Sequence, residues 1–142
     1  MKKVAVGSDH GGYGMKETVV SVLEELGVEV IDVGCFSTES VDYPDFADLV
    51  CQKVDAGECE GGILLCGTGI GMSMAANRHR TIRAALCHEH YTARMSREHN
   101  NANVLCMGAR VLGTEIAREV VRAWVTTGFA GGRHQRRLAK LG

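Results

Sequence analysis

Proline is almost absent from this chain: there is one among 142 residues, against 18 glycines. That excludes a proline-rich linker and leaves room for many tight turns. Long hydrophobic runs are missing too, so no segment reaches the length of a membrane span. The opening Met1-Lys2-Lys3-Val4-Ala5-Val6-Gly7 meets glycine and then aspartate too soon for the apolar stretch of a secretory signal. Six cysteines occur without a single Cys-x-x-Cys, which removes the signature of zinc knuckles and of thioredoxin chemistry. Reduced thiols and a cytoplasmic location are therefore expected. Cys51 and Cys87, in apolar surroundings, read as inert core thiols. No Gly-Lys-Ser/Thr is present, so a Walker phosphate loop is excluded.

What remains is the composition of an ordinary soluble domain, 45% hydrophobic and 23% charged, long enough for one core and too short for two. Residues 1–142 are read as a single domain. The net charge of −1 conceals an asymmetry: the tail 128–142 carries Arg133, His134, Arg136, Arg137 and Lys140 and no acid. Five basic groups without interleaved aromatics are too few for nucleic acid. Capture of a small phosphate fits the number, and a solvated helix face is the plain alternative.

Apolar runs alternate with helical patterns from end to end. Strands are expected at 4–7, 28–33, 63–66, 82–87 and 104–107. Met15, Val19, Val22, Leu23 and Leu26 recur at helical spacing up to a stop at Gly27. Pro44 stands at a helix start, followed by a buried stripe of Phe46, Leu49, Val50 and Val54. A polar helix is expected from about Glu89 to His99. Thr114 is the expected cap of a last helix carrying Ile116, Val120, Val121, Trp124 and Val125, with Gly128 ending it. Five buried strands alternating with helices imply a five-stranded parallel sheet between helical layers, a Rossmann-like three-layer α/β sandwich. Ligands of such sheets bind at the carboxyl ends of the strands. That rule gathers the Asp9-His10 loop, the loop after Cys66 and the Asn100–Arg110 region along one edge.

The densest chemistry lies in Cys66-Gly67-Thr68-Gly69-Ile70-Gly71, where an apolar strand ends on a thiol and three alternating glycines lead into a helix start. Such a turn presents unpaired N–H groups and the positive end of a helix dipole. A thiol sharing that field is favoured as the reactive thiolate. A base beside an anion cradle suits removal of a proton from carbon and stabilisation of the resulting oxyanion. A nucleophilic thiol is equally compatible with the spacing. The loop is not a dinucleotide fingerprint, because its third glycine comes one position early. His99, before Asn100, is a candidate acid/base, and His10 a candidate anion or hydroxyl ligand. Arg133 and Arg137, four apart, form a clamp on one helix face, and Arg110 adds a third cation. Tyr43 stands where it can close over a ligand. His88 and His90 flank Glu89 without further ligands at metal spacing and read as surface.

Ser8-Asp9-His10-Gly11-Gly12, Asp42-Tyr43-Pro44, the run from Gly61 to Gly71, Ala75-Ala76-Asn77, Ser96-Arg97-Glu98-His99-Asn100, Asn103-Val104-Leu105 and Gly131-Gly132-Arg133-His134 together resemble the type B ribose-5-phosphate isomerases. The resemblance spans nearly the whole chain, in order. It implies interconversion of an aldose phosphate and its ketose through a cis-enediolate, with neither metal nor cofactor. Carried over, Cys66 moves the proton between C1 and C2, and Thr68 shuttles protons on the two oxygens. The backbone of Gly67, Gly69, Gly71 and Ser73 holds the enediolate. His99 assists ring opening, and Asp9 and Tyr43 touch sugar hydroxyls. His10, Arg110, Arg133 and Arg137 bind the phosphate. The resemblance further implies a homodimer, or a tetramer, with the site at the interface, so that His99, Asn100 and Arg110 serve a neighbouring pocket. Met72 stands where some relatives carry a glutamate base, which assigns this chain to the cysteine type.

Other readings keep the same residues. The sugar can be an allose, galactose or tetrose phosphate. A non-catalytic sugar-phosphate sensor would bind the ligand without exchanging its hydrogen. A redox role for Cys66 would need a resolving cysteine, and no spacing identifies one.

Overall fold

The computed structural model describes all of residues 1–142. The strands are β1 (Lys3–Ser8), β2 (Glu29–Gly34), β3 (Gly61–Cys66), β4 (Ala84–Leu86) and β5 (Val104–Gly108). The helices are α1 (Tyr13–Glu25), α2 (Tyr43–Asp55), α3 (Ile70–Ala76), α4 (His90–Glu98), α5 (Thr114–Thr126) and α6 (Arg133–Ala139). All strand pairs are parallel, in the order β2-β1-β3-β5-β4. No helix is long and apolar enough to cross a membrane.

The expected three-layer sandwich is what the chain forms. One core joins β1, β3 and β5 to α1 and α5 through Val4, Val6, Ile63, Leu65, Leu105, Met107 and the fully buried Trp124. The other face packs Ala5, Leu64, Cys66 and Cys106 against α2 and α3 through Val50, Cys51, Met72 and Ala76. Alternation along each strand thus feeds two cores at once, which is why the central strands read as continuous apolar runs.

Local departures have local reasons. Only the central strands are buried on both faces; β2 and β4 are edges with exposed residues. β4 is shorter than the apolar run at 82–87, and the Asn77 amide donates to the Ala84 carbonyl at 3.0 Å and accepts the Ala84 N–H at 2.9 Å. In α2 the buried residues are Ala47, Val50 and Cys51, and Leu49 of the expected stripe faces out. Leu26 and Ile116 are likewise exposed. Gly113, not Thr114, caps α5, and the helix ends at Thr126 before reaching Gly128. Pro44 does open α2, and Gly27 turns the chain after α1 at φ 74°. The basic tail folds into α6.

The strand order places one feature. From β1 the chain passes to β2 on one side, and β3 lies on the other. α1 follows β1 onto one face and α3 follows β3 onto the opposite face. In sheets of this kind a ligand site is expected where successive helices part to opposite faces, here at the carboxyl edge between β1 and β3.

Candidate active site

At that switch point stands Cys66, 5% exposed at the last position of β3. Its sulfur accepts the Gly69 N–H at 3.0 Å. Gly69 achieves this with φ 78°, left-handed backbone that a side chain would strain, and a Cβ there would meet Leu86 at 2.5 Å. Thr68 is exposed at the rim, its Oγ1 accepting the Ile70 N–H at 3.2 Å. Ser73 Oγ donates to the Ile70 carbonyl at 2.8 Å.

Neighbouring loops are laced to this turn. The carbonyls of Cys66 and Gly67 accept the N–H groups of Ala109 and Arg110 at 2.9 and 3.0 Å. The Arg110 guanidinium lies over Gly67, where a Cβ would approach Nη1 to 3.2 Å. Tyr43 lies on Gly71 in the same manner, 2.8 Å from a built Cβ. Asp9 Oδ1 accepts the Gly12 N–H at 2.9 Å, and Gly12 itself packs so closely on β3 that a Cβ would stand 2.3 Å from the Leu65 carbonyl oxygen. His10 Nδ1 accepts the Val41 N–H at 3.1 Å. That leaves the proton of a neutral imidazole on Nε2, as a donor. The buried Lys16 ties α1 to β2 through Asp32 at 3.0 Å and to the start of the β2–α2 loop through the Cys35 carbonyl.

Four thiols are held above their ordinary value. Burial, reinforced by Asp48 and Asp55, pushes Cys51 up to about 12. Burial likewise pushes up Cys59, Cys87 and Cys106, Cys106 well above its ordinary value with Cys66 the next contributor. These sulfurs stay protonated and inert, as expected for Cys51 and Cys87. All six cysteines are free.

The expectation that Asn100 to Arg110 lies along one edge is not met. α4 leaves the carboxyl end of β4 and runs back, so the turn after it enters β5 from the amino end. There the Asn103 carbonyl accepts the Gly62 N–H at 2.9 Å, while Cys66 pairs with Gly108 at the other end. The two ends of that β3 segment are roughly 13 Å apart. His99, at the C-cap of α4, and Asn100 therefore stand away from Cys66 of their own chain. α6 stands with them: the rings of His99 and His134 stack with centroids 4.3 Å apart, and the Ala130 N–H donates to the Glu98 carbonyl at 2.9 Å. Arg133 and Arg137, both exposed, belong to this second group. Burial and the neighbouring His99, Arg133 and Arg137 hold His134 below its ordinary value. The fold thus divides the candidates. Asp9, His10, Tyr43, Cys66, Thr68 and Arg110 lie at one edge; His99, Asn100, Arg133 and Arg137 lie at the other.

His88 is not the surface residue expected from the sequence. It is half-buried, and its Nε2 accepts the Gly108 N–H at 3.1 Å where β4 has already turned away. Gly108 in turn packs on Thr68, with a built Cβ only 2.7 Å from the Thr68 backbone. A histidine directly after a strand, opposite a glycine, was the only hint in the sequence.

Residues 4–141 match the pattern of the Ribose/Galactose Isomerase family. The chain is 51% identical over 141 residues to ribose-5-phosphate isomerase B of Escherichia coli, covering 99% of this chain and 95% of that one. It is 41% identical over 143 residues to D-erythrulose-4-phosphate isomerase of Pectobacterium atrosepticum, covering 100% and 94%. Its fold superposes on ribose-5-phosphate isomerase B of Clostridium thermocellum with a TM-score of 0.97, at 51% identity over 99% of this chain and 95% of that one.

Proposed function

The chain belongs to the ribose/galactose isomerase family, and from that premise we propose that it interconverts ribose 5-phosphate and ribulose 5-phosphate through a cis-enediolate. The observation that carries the reading is Cys66, buried at the switch point with an N–H donor on its sulfur and a glycine loop beside it. In the forward direction the thiolate removes the C2 proton of the open-chain aldose. The electron pair moves into the C1–C2 bond, and the carbonyl oxygen becomes an enediolate oxygen. Backbone N–H groups of the loop from Gly67 to Ser73 hold that charge. Thr68 passes a proton between the two oxygens, and the Cys66 thiol returns its proton to C1. Asp9 and Tyr43 hold sugar hydroxyls.

Phosphate binding and ring opening need the second group of residues, which one chain keeps at the far edge. The geometry supports a site completed by another copy: a homodimer in which His99, Asn100, Arg133 and Arg137 of one protomer face Cys66 of its partner. Arg110, lying over Gly67 of its own chain, works in its own pocket. Exposed Ile70, Met74, Leu86 and Val111 around the glycine loop supply an apolar surface for such a contact. Free thiols support a reducing compartment, the cytoplasm. A tetrose phosphate is the second reading, favoured by the erythrulose-phosphate relative but at lower identity.

The test is turnover of ribose 5-phosphate in D2O. Ketose carrying deuterium at the exchanging carbon is expected, and Cys66→Ala is expected to lose turnover while still binding inorganic phosphate. Undiminished activity of Cys66→Ala would remove the mechanism. Absence of turnover with ribose 5-phosphate but not with a tetrose phosphate would shift the substrate.

A further inference from the structure

Arg97 lies on the last turn of α4, half-buried, and no carboxylate pairs with it. Its Nε donates to the Thr127 carbonyl at 3.2 Å. Its Nη1 donates to Asn101 Oδ1 at 3.2 Å and to the Ala102 carbonyl at 2.6 Å. The guanidinium carbon stands 5.8 Å from the ring centroid of Trp124, the buried anchor of α5. Burial, and then Arg83, holds this guanidinium below its ordinary value, so the cation is kept there at a cost.

The partners are telling. Asn101 and Ala102 form the turn that carries His99 and Asn100, and Asn101 adopts φ 45°, unusual outside glycine. Thr127 ends α5 and begins the segment leading to α6, which bears Arg133 and Arg137. One planar fork therefore joins the root of the histidine turn to the root of the arginine helix. Only arginine offers donors in that fixed arrangement; a lysine ammonium is a single point. The Glu98–Ala130 hydrogen bond and the His99–His134 stack close the same unit from the other side.

We propose that Arg97 is a positioning residue that holds His99, Asn100, Arg133 and Arg137 as one rigid group for the neighbouring copy's Cys66 pocket. The proposal rests on the shared-site reading above, and its role is exerted in trans, on a pocket to which Arg97's own chain does not contribute the thiol.

Arg97→Met and Arg97→Lys are made in the full chain. Both are expected to keep the helical circular-dichroism spectrum and the oligomeric state. Both are expected to lose about 10- to 100-fold in kcat/KM for ribose 5-phosphate, to raise KM, and to weaken competitive inhibition by inorganic phosphate. Alkylation of Cys66 by iodoacetamide is expected to proceed at the wild-type rate, because that edge is intact. If Arg97→Met does not fold, Arg97→Lys carries the same readouts. The decisive arm is hybrid oligomers, formed by co-expressing Cys66→Ala with Arg97→Met under two tags. One pocket then combines an intact thiol with an intact positioning group, and activity is recovered. Wild-type kinetics in both Arg97 variants overturns the proposal. So does failure of this hybrid while a Cys66→Ala with His99→Ala hybrid is active. If the His99→Ala hybrid is also inactive, the shared-site reading itself falls, and the proposal with it.

Discussion

At the scale of single residues, the site is built as much from missing side chains as from present ones. Gly12 and Gly69 let backbone approach where a Cβ would stand 2.3 Å from the Leu65 oxygen and 2.5 Å from Leu86. Either glycine replaced by alanine is expected to destabilise the chain by about 2–4 kcal/mol, since the Gly12 clash is with backbone and Gly69 adds left-handed strain. Chemical denaturation measures this, and a change within error would show that the loops yield. His88 makes a second prediction. Burial holds its imidazole below the ordinary 6.5, so the unfolded chain takes up the proton first as pH falls. The stability that the neutral ring supplies is complete above about 6.5 and declines as pH drops from there through the folded value. His88→Gln, whose amide oxygen can accept the same Gly108 N–H, is expected to flatten the fall of Tm between neutral and mildly acid pH. An unchanged slope would assign that decline to other groups.

At the scale of elements, edges and ends carry the design. The short β4 exposes one side of the sheet, and the Asn77 amide occupies it through both the N–H and the carbonyl of Ala84. Asn77→Ala is expected to cost about 1–2 kcal/mol and to raise hydrogen exchange at Ala84 ahead of β3 and β5. Uniform exchange across the sheet would refute a local role. Helix positions were largely legible in the chain, because Gly27, Pro44 and the apolar stripes act within a turn or two. Individual stripe members were not: Leu49 and Ile116 sit at helical spacing yet face solvent. Periodicity marks which side of a helix is apolar, while the width of the neighbouring layer decides how much of it is covered.

At the scale of the whole molecule, the proposed shared site, drawn from the separation of the two residue groups, makes activity depend on association. Specific activity is expected to fall on dilution below the dissociation constant of the oligomer, together with the sedimentation coefficient. Full activity of a monomeric species would sink the shared site. Reciprocal behaviour is expected in hybrids: Cys66→Ala and His99→Ala, each inactive alone, recover activity when combined. The exposed apolar residues around the glycine loop, Ile70, Met74 and Leu86 among them, are the surface such an association would cover.

By itself the amino-acid sequence determined the alternation of strands and helices, the parallel sheet and the location of Cys66 at a carboxyl edge, because apolar period and glycine punctuation are local signals. It also carried the family motifs in order from Ser8 to His134. Only the tertiary structure decided which candidates meet. Asn100 and Arg110 are close in sequence, yet β5 lies between them and carries them to opposite ends of the sheet. His88, read from the sequence as surface, and Arg97, given no role there, owe their contacts to a strand that stops early and to two chain segments brought under one guanidinium. Distance along a chain is set by bonds, but distance in the fold is set by the direction in which each helix returns.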